Sequence, residues 1–277
     1  MVADISFSID SPAGNRNLSV SYERYGVGEP LLLLHGIGHH WQAWEPVIRI
    51  LAAERDVIAV DLPGFGVSSP LPDGMRYDLS SVGSVLGSLC AALGIERPHV
   101  AGNSLGGLLA LELGRAGLVR SVTALSPAGF WNERERILAF GTLKAMRAGA
   151  RSIPLPVIEG LARTAAGRAA LTGTIYARPG RRSSESVVAE TLALRTAAGF
   201  HETLAAGRSV LFGEDIPDVP VTIAWGTRDR LLLRRQGIRA KRAIPGARLI
   251  RLPGCGHVPM SDDPALVARV LLDGSSR

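Results

Sequence analysis

The amino-acid sequence predicts an α/β fold in which a mostly parallel central sheet is flanked by helices. Short uninterrupted apolar runs recur along the chain, and strands that are buried on both faces have this character. Between several of these runs lie segments whose apolar residues are spaced three and four apart, which is typical of amphipathic helices. Because strands alternate with helices in this way, a parallel sheet with helices on both faces is favoured.

The predicted elements follow in chain order. Apolar residues alternate over residues 5–9 and 18–22, with Gly14 and Asn15 between them, so the chain opens with an antiparallel hairpin. The predicted buried strands are 31–34, 57–60, 99–101, 122–125, 221–225 and 247–252. Helical spacing covers 79–93, 105–113 and 264–272. Asp263 and Pro264 form an N-cap and first-turn pair that predicts the start of the last helix.

The alternation of strands and helices stops in the middle of the chain. Residues 128–215 contain helical patches and several prolines but no clear buried strand, and the alternation resumes at Pro220. We therefore predict a discontinuous core of residues 1–127 and 216–277 that is interrupted by a helical cap insertion at 128–215. Ligands of such sheets bind at the carboxyl ends of the strands, so a cap placed there would cover the site.

Length and composition exclude several classes of protein. The 277 residues, 46% hydrophobic and 20% charged, suit one large globular domain and not a disordered chain. No apolar stretch reaches the roughly 18 residues that a membrane-spanning helix needs. The start, Met1 to Asp4, lacks the basic and apolar segments of a secretory signal, so a cytoplasmic protein without a membrane partner is expected.

The net charge of +6 does not predict a nucleic-acid partner, because the arginines are scattered among acids and form no basic arm or basic and aromatic stripe. Cys90 and Cys255 have neither a disulfide framework nor a metal-ligand spacing. The histidines at 35, 39 and 40 have no carboxylate or cysteine at ligand spacing. We expect no metal, no cofactor, a small-molecule substrate, and a monomer or homodimer.

The chemistry centres on Gly102-Asn103-Ser104-Leu105-Gly106, which lies between a predicted strand and a predicted helix. A G-x-S-x-G pattern is weak by itself, but this context predicts a sharp turn that strains Ser104 and presents its hydroxyl at the edge of the sheet. Glycine is needed at 102 and 106 because side chains there would collide. The N–H of Leu105 starts a helix and points at an anion bound there.

A serine hydroxyl needs a base to become a good nucleophile. His257 follows the last predicted strand and Asp229 follows the preceding one, so both reach the same carboxyl edge as Ser104. The aspartate would orient the imidazole and stabilise its cation, and the order Ser104, Asp229, His257 suits this architecture. A second oxyanion donor is expected at the N–H of Ile37, with Gly38 as the next choice.

Other polar residues compete for these roles. Asp262 and Asp263 are alternative acids, but they follow the histidine closely and better suit capping the helix at Pro264. Asp61 is expected to brace its own turn. The substrate is expected to contact Gly36, His40 and Trp131. The arginines of the insertion suit a solvated face, although one could bind a substrate carboxylate. The apolar side of the insertion, which includes Leu143 and Met146, packs on the sheet or walls the pocket.

With these residues in place, the chain resembles the serine hydrolases of the α/β-hydrolase superfamily. The matching segments are 35–38, 61–68, 102–107, 225–229 and 256–257, which span almost the whole chain except the insertion. The resemblance implies an α/β-hydrolase fold with a variable helical cap and a Ser-His-Asp triad. Serine at 104 argues against the dehalogenase and epoxide-hydrolase branches, which resemble this layout but use aspartate at that position.

The resemblance leaves the substrate open, because one frame hosts many chemistries. The main hypothesis is hydrolysis of a small to medium, largely apolar carboxylic ester or related carbonyl compound through an acyl-enzyme. One alternative is cleavage of a carbon–carbon bond in meta-cleavage-type diketone acids, since Asn103 precedes the serine in that group. Those enzymes usually carry a tryptophan after the histidine, whereas this chain has Val258. A further alternative is a non-hydrolytic cyclase, lyase or ligand-binding member of the fold.

Overall fold

The computed structural model describes residues 3–12 and 14–276. Within these residues, eight strands form one sheet in the order β1-β2-β4-β3-β5-β6-β7-β8. The strands are β1 (Ala3–Ile9), β2 (Arg16–Tyr25), β3 (Pro30–Leu34), β4 (Asp56–Val60), β5 (His99–Asn103), β6 (Ser121–Leu125), β7 (Val221–Gly226) and β8 (Arg248–Leu252). Strands β3 to β8 are parallel to one another, while β2 is antiparallel to both of its neighbours. The predicted fold class is therefore confirmed.

The helices cover both faces of the sheet and fill the segment between β6 and β7. They are α1 (Glu45–Leu51), α2 (Leu79–Ala92), α3 (Leu105–Arg115), α4 (Glu133–Ser152), α5 (Leu155–Ala162), α6 (Ala165–Thr172), α7 (Ser184–Thr196), α8 (Phe200–Ala206), α9 (Arg235–Ala243) and α10 (Pro264–Gly274). The predictions of α2, α3 and α10 are confirmed. No helix in the described part of the chain is both long and apolar enough to cross a membrane.

Two core helices, α1 and α9, were not predicted. The buried positions of α9 are Gln236, Gly237 and Ala240, whereas its one large apolar residue, Ile238, is 53% exposed. The helix therefore packs a small and polar face against the sheet and carries no apolar stripe that a sequence pattern detects. Helix α1 is only seven residues long, which is too short for apolar spacing to stand out.

Side-chain caps explain where several helices begin. Asp78 accepts a hydrogen bond from the N–H of Ser81 at the start of α2, and Asp263 does the same for Leu266 at α10, as its position before Pro264 predicts. At α4, Asn132 and Glu135 form a capping box in which each side chain accepts a backbone N–H.

The segment between β6 and β7 contains α4 to α8 and no strand, in line with the predicted helical character of residues 128–215. The division of the chain into core and cap stays a prediction, and these residues are called the insertion below. Glu135 of α4 forms ion pairs with Arg235 and Arg239 of α9, and these pairs attach the start of the insertion to a helix that packs on the sheet. Burial acts to raise the pKa of Glu135, but the hydrogen bonds and these two cations lower it overall.

Candidate active site

Ser104 occupies a sharp turn between β5 and α3. Its φ of 56° and ψ of −113° are a strained conformation for a residue with a side chain. The flanking glycines are required by space: a Cβ on Gly102 would lie 2.0 Å from the Gly106 carbonyl oxygen, and one on Gly106 would lie 2.1 Å from the Leu34 oxygen. The turn therefore has the geometry that the sequence motif predicts, with Ser104 lining a cavity.

His257 and Asp229 form a buried hydrogen-bonded pair at the carboxyl edge of the sheet. The distance from His257 Nδ1 to Asp229 Oδ2 is 2.8 Å. The other carboxylate oxygen, Oδ1, accepts the N–H groups of Leu231 at 2.9 Å and Leu232 at 2.8 Å. Because a carboxylate can only accept, Nδ1 carries the proton, which leaves Nε2 of His257 as the basic nitrogen.

Ser104 and His257 line one small cavity between the sheet edge and the insertion. Its volume is about 30 Å³, which is room for about two water-sized molecules. The cavity is lined by Gly36, Ile37, Gly38, His39, Asn103, Ser104, Leu143, Met146, Ile175, Glu190, Leu194, Leu231, His257 and Val258. Among these lining residues there is no arginine or lysine. The walls are mainly apolar, and most of the apolar residues come from the insertion.

The two residues expected to form the oxyanion hole follow two neighbouring strands, β3 and β5. Ile37 lines the cavity after β3, and Leu105 is the first residue of α3. Within the described part of the chain, neither backbone N–H donates to a protein acceptor. The N–H of a first helical residue has no partner inside its own helix, so the Leu105 N–H remains free for a ligand.

The loop that carries His257 is held from two directions. Asn103 Nδ2 donates to the carbonyl oxygens of His257 at 2.9 Å and Leu125 at 3.1 Å. From the insertion, the carbonyl oxygen of Ile175 accepts the N–H groups of His257 and Val258 at 2.8 and 3.0 Å. The position of the imidazole thus depends on both the turn that bears Ser104 and the insertion.

Asp262 reinforces this attachment. Its Oδ2 accepts the N–H groups of Gly256 at 2.8 Å and Ala177 at 3.0 Å, while Oδ1 accepts that of Arg178 at 2.8 Å. Sequence reasoning considered Asp262 as an acid or as a cap of α10, yet Asp263 alone makes the capping bond. The sequence Asp-Asp-Pro could have indicated a separate role for Asp262. One helix start uses a single capping residue, so the second aspartate is left for another function.

Only one of the three expected substrate contacts lies in this cavity. A Cβ on Gly36 would lie 3.3 Å from that of Ser104, so Gly36 belongs to the cavity wall. His40 lines a neighbouring cavity, which His39 and Glu190 also line. The indole N–H of Trp131 donates to the carbonyl oxygen of Val210 at 3.2 Å, and its ring packs edge-on against Phe140. For both residues, contact with a substrate stays a prediction.

His39 and Glu190 are polar cavity residues that the sequence analysis did not assign as substrate contacts. From the sequence, His39 is named only among the histidines without metal-ligand spacing, whereas His40 is named as a substrate contact. Glu190 lies on α7, and a carboxylate within a helix carries no local signal that it will face a site in another part of the chain. Only the packing of the insertion over the sheet brings the two side chains together.

Other ionisable groups near the edge serve the structure. Asp61 accepts the N–H groups of Trp41 at 2.7 Å and Val67 at 2.9 Å, so it braces its own turn as expected, and burial raises its pKa to about 6. Burial raises the pKa of Cys255 to about 12, which keeps its thiol protonated and unreactive. In residues 3–12 and 14–276, no group of three His, Cys, Asp or Glu side chains is arranged to hold a metal ion.

Residues 31–270 match the alpha/beta hydrolase family. The chain belongs to this family. It is 30% identical over 255 residues to an uncharacterised protein of Mycobacterium tuberculosis, a match that covers 87% of this chain and 73% of that protein. A shorter segment of 96 residues is 43% identical to the pimeloyl-[acyl-carrier protein] methyl ester esterase of Aeromonas hydrophila and covers 35% of this chain and 36% of the esterase.

Solved structures share the whole fold. The meta-cleavage product hydrolase of Pseudomonas fluorescens IP01 superposes with a TM-score of 0.72 and 21% sequence identity over 97% of both chains. Identity at this level shows that the fold is common to both proteins. A shared fold does not determine the reaction, so the chemistry of this protein depends on the residues of its own cavity.

Proposed function

We propose that this protein is a serine hydrolase that cleaves small to medium, largely apolar carboxylic esters through an acyl-enzyme. The observation that carries the proposal is that Ser104, on a strained turn, shares a small apolar cavity with His257, whose Nδ1 is held by Asp229. A strained turn that carries a hydroxyl on the wall of a cavity shared with an oriented imidazole suits nucleophilic catalysis and has no evident value for stability.

In the proposed reaction, Ser104 Oγ attacks the ester carbonyl carbon while His257 Nε2 takes the hydroxyl proton. The negative charge that develops on the carbonyl oxygen is stabilised by the N–H groups of Ile37 and Leu105. The imidazolium, stabilised by Asp229, returns the proton to the leaving alcohol, and the acyl group stays on Ser104. Water then attacks the acyl-enzyme by the same proton transfers, which releases the carboxylic acid and restores the serine.

The composition of the cavity favours an ester over an acid as substrate. Its lining residues include no arginine or lysine that would pair with a carboxylate, and the carboxylate of Glu190 can only accept hydrogen bonds. The similarity to a methyl ester esterase over one third of the chain points in the same direction. These features disfavour the carbon–carbon hydrolase alternative, whose diketone substrate carries a carboxylate.

One observation nevertheless favours that alternative, namely the sequence Gly102-Asn103-Ser104 on a fold shared with a meta-cleavage product hydrolase. The amide of Asn103 donates to two backbone carbonyls, so its role in this chain is to hold the His257 loop. Comparing kcat/KM for p-nitrophenyl butyrate and for a meta-cleavage diketone acid separates the two functions. A larger value for the diketone acid would replace the ester proposal.

The assignment of the nucleophile is tested with Ser104→Ala and the exposed-site control Ser209→Ala. Removal of a serine nucleophile lowers kcat by at least about 10⁴-fold, so Ser104→Ala should lose p-nitrophenyl butyrate hydrolysis while the control keeps it. A fluorophosphonate should modify the wild type at the peptide containing Ser104, as read by mass spectrometry. Full turnover by Ser104→Ala, or no labelling of Ser104, would refute the proposal, and the latter would favour a ligand-binding role.

A further inference from the structure

Two further polar side chains face the candidate active-site cavity, one from the loop after β3 and the other from the insertion. His39, after β3, and Glu190, on α7, both line the cavity, and neither belongs to the proposed triad. Glu190 Oε2 accepts the hydroxyl of Tyr176 at 2.9 Å and lies 2.5 Å from Arg182 Nη1. The guanidinium of Arg182 lies over the Tyr176 ring, 3.9 Å from its centroid.

The Arg182–Glu190 pair is largely removed from water, with side-chain exposures of 9% and 8%. Because the two charges compensate each other, the cavity presents no excess positive charge at this wall. Tyr176 and Arg182 both contact Oε2 of Glu190, so Oε1 is the carboxylate oxygen that can still accept a hydrogen bond from a ligand. That oxygen is the one that faces His39.

His39 is 7% exposed, and neither of its ring nitrogens has a hydrogen-bond partner in the described part of the chain. Its Nε2 lies 3.5 Å from Glu190 Oε1, which is longer than a hydrogen bond. Buried polar side chains are nearly always hydrogen-bonded, so an unpaired imidazole on the wall of the candidate active-site cavity indicates a polar ligand group. Burial, together with the nearby Arg182 and His257, lowers the pKa of His39 to about 3, so the ring is neutral.

We infer that His39 and Glu190 form a subsite that binds a hydroxyl group of the ester substrate. A hydroxyl donates one hydrogen bond and accepts another, which matches a carboxylate oxygen beside a neutral imidazole. A substrate carboxylate has no proton to donate to Glu190 Oε1, which can only accept, and a substrate ammonium would add a charge that Arg182 already supplies. The inference rests on the proposed ester hydrolysis and names the class of ester: one that carries a hydroxyl near the scissile bond.

The test compares esters in which a hydroxyl is replaced by a methyl group of similar size. The pairs are methyl 3-hydroxybutanoate with methyl 3-methylbutanoate, methyl 2-hydroxybutanoate with methyl 2-methylbutanoate, and 2-hydroxyethyl butanoate with propyl butanoate. Their hydrolysis is followed by acid release in a pH-stat. A site built to bind a hydroxyl discriminates against an analogue without it, so the wild type should prefer one hydroxy ester by at least about tenfold in kcat/KM.

His39→Phe removes the donor and the acceptor, and His39→Gln keeps both. The preference for the hydroxy ester should fall below about threefold in the first variant and be partly restored in the second. His201→Phe is the control, because His201 is exposed on α8 and is not among the residues that line the cavity with Ser104. That variant should keep the wild-type ratio.

The outcomes separate the subsite from the proposed function. If Ser104 is labelled by a fluorophosphonate and the methyl-substituted esters are cleaved, but no hydroxy ester is preferred in any pair, the subsite is wrong while ester hydrolysis stands. An unchanged preference in His39→Phe would also overturn the subsite. If neither labelling nor cleavage of any ester is seen, the proposed function itself fails.

Discussion

The side-chain amide of Asn103 donates a hydrogen bond of 2.9 Å to the backbone carbonyl of His257. The residue that precedes the candidate nucleophile therefore holds the loop of the candidate base, although 154 positions separate the two in sequence. The same amide donates to Leu125 at 3.1 Å, which joins the turn to β6. This amide therefore contributes, with the contacts from the insertion, to the relative placement of the hydroxyl and the imidazole.

Replacing Asn103 by leucine keeps the size of the side chain and removes both donated bonds. Leu125 still accepts the N–H of Ser104, so the main loss falls on the carbonyl of His257. We expect the free energy of unfolding to fall by about 1–3 kcal/mol and kcat for p-nitrophenyl butyrate to fall at least about tenfold, since a displaced imidazole transfers protons poorly. Urea unfolding and steady-state kinetics measure the two effects, and an unchanged kcat would contradict the positioning role.

A buried side-chain amide that lacks hydrogen-bond partners destabilises the folded protein, so its removal should raise the free energy of unfolding. Gln236 of α9 is 0% exposed, and neither Oε1 nor Nε2 has a hydrogen-bond partner among residues 3–12 and 14–276. Gln236→Met is similar in shape and needs no partner, so the free energy of unfolding should rise by about 1 kcal/mol. Kinetic constants should not change, because the residue lies outside the cavity. A loss of stability would show that the amide has a partner such as an ordered water.

Asp262 and Asp263 are adjacent carboxylates with separable roles. Asp262→Ala leaves three backbone N–H groups without acceptors, including that of Gly256 beside His257. Both stability and kcat should therefore fall, kcat by at least about tenfold. Asp263→Ala removes only the cap of α10 and should cost about 1 kcal/mol of stability with kcat within twofold. Equal effects of the two substitutions on kcat, measured with p-nitrophenyl butyrate, would argue against anchoring of the His257 loop by Asp262.

Met146 separates the candidate active-site cavity from a second cavity inside the insertion. Met146, Glu190 and Leu194 line both, and the second cavity has a volume of about 300 Å³. Met146→Ala should join them and admit a longer acyl chain, so the kcat/KM ratio of p-nitrophenyl octanoate to butyrate should rise at least about tenfold, given about 0.8 kcal/mol per buried methylene.

Leu143 is the matched control for Met146, because it lines the candidate active-site cavity and not the second one. Leu143→Ala enlarges the first cavity without joining the two, so its octanoate to butyrate ratio should stay below that of Met146→Ala. If both substitutions raise the ratio equally, acyl chains do not enter the insertion.

His35 should make the protein less stable in acid. Its Nδ1 donates to the Gly36 carbonyl at 2.7 Å and its Nε2 accepts the Leu62 N–H at 3.0 Å, so the folded protein holds the ring neutral. Burial is the main cause that lowers its pKa from 6.5 to about 3. The unfolded chain binds a proton below its own pKa of 6.5 whereas the folded chain does not, so stability is lost as the pH falls from 6.5 towards 3.

The expected contribution of His35 is a loss of about 1.4 kcal/mol for each pH unit in that window. His35→Gln keeps an acceptor for Leu62 and cannot titrate, so urea unfolding between about pH 5 and pH 7 should show a shallower pH dependence than the wild type. His201→Gln, on the exposed face of α8, should keep the wild-type slope. Identical slopes for wild type and His35→Gln would mean that His35 binds a proton in the folded state.

Local sequence patterns were sufficient to predict the parallel strands, three of the flanking helices and the edge on which the candidate triad lies. Strand and helix periods differ, so apolar spacing distinguishes the elements, and the carboxyl ends of parallel strands necessarily share one edge. Ser104, Asp229 and His257 each follow such a strand, so their neighbourhood could be predicted from local patterns. The glycines at 102 and 106 were predicted for the same local reason, since the turn leaves no space for a Cβ.

The side chains that share a cavity with the candidate nucleophile are set by packing between distant segments. His39 and His40 are adjacent and chemically identical, yet only His39 lines the cavity with Ser104. Glu190 reaches that cavity through the packing of the insertion, and Asp262 holds the loop of the candidate base through contacts with residues 177 and 178. These contacts join segments that are far apart in the chain. They depend on how the helices of the insertion pack over the sheet, and no local sequence pattern encodes that packing.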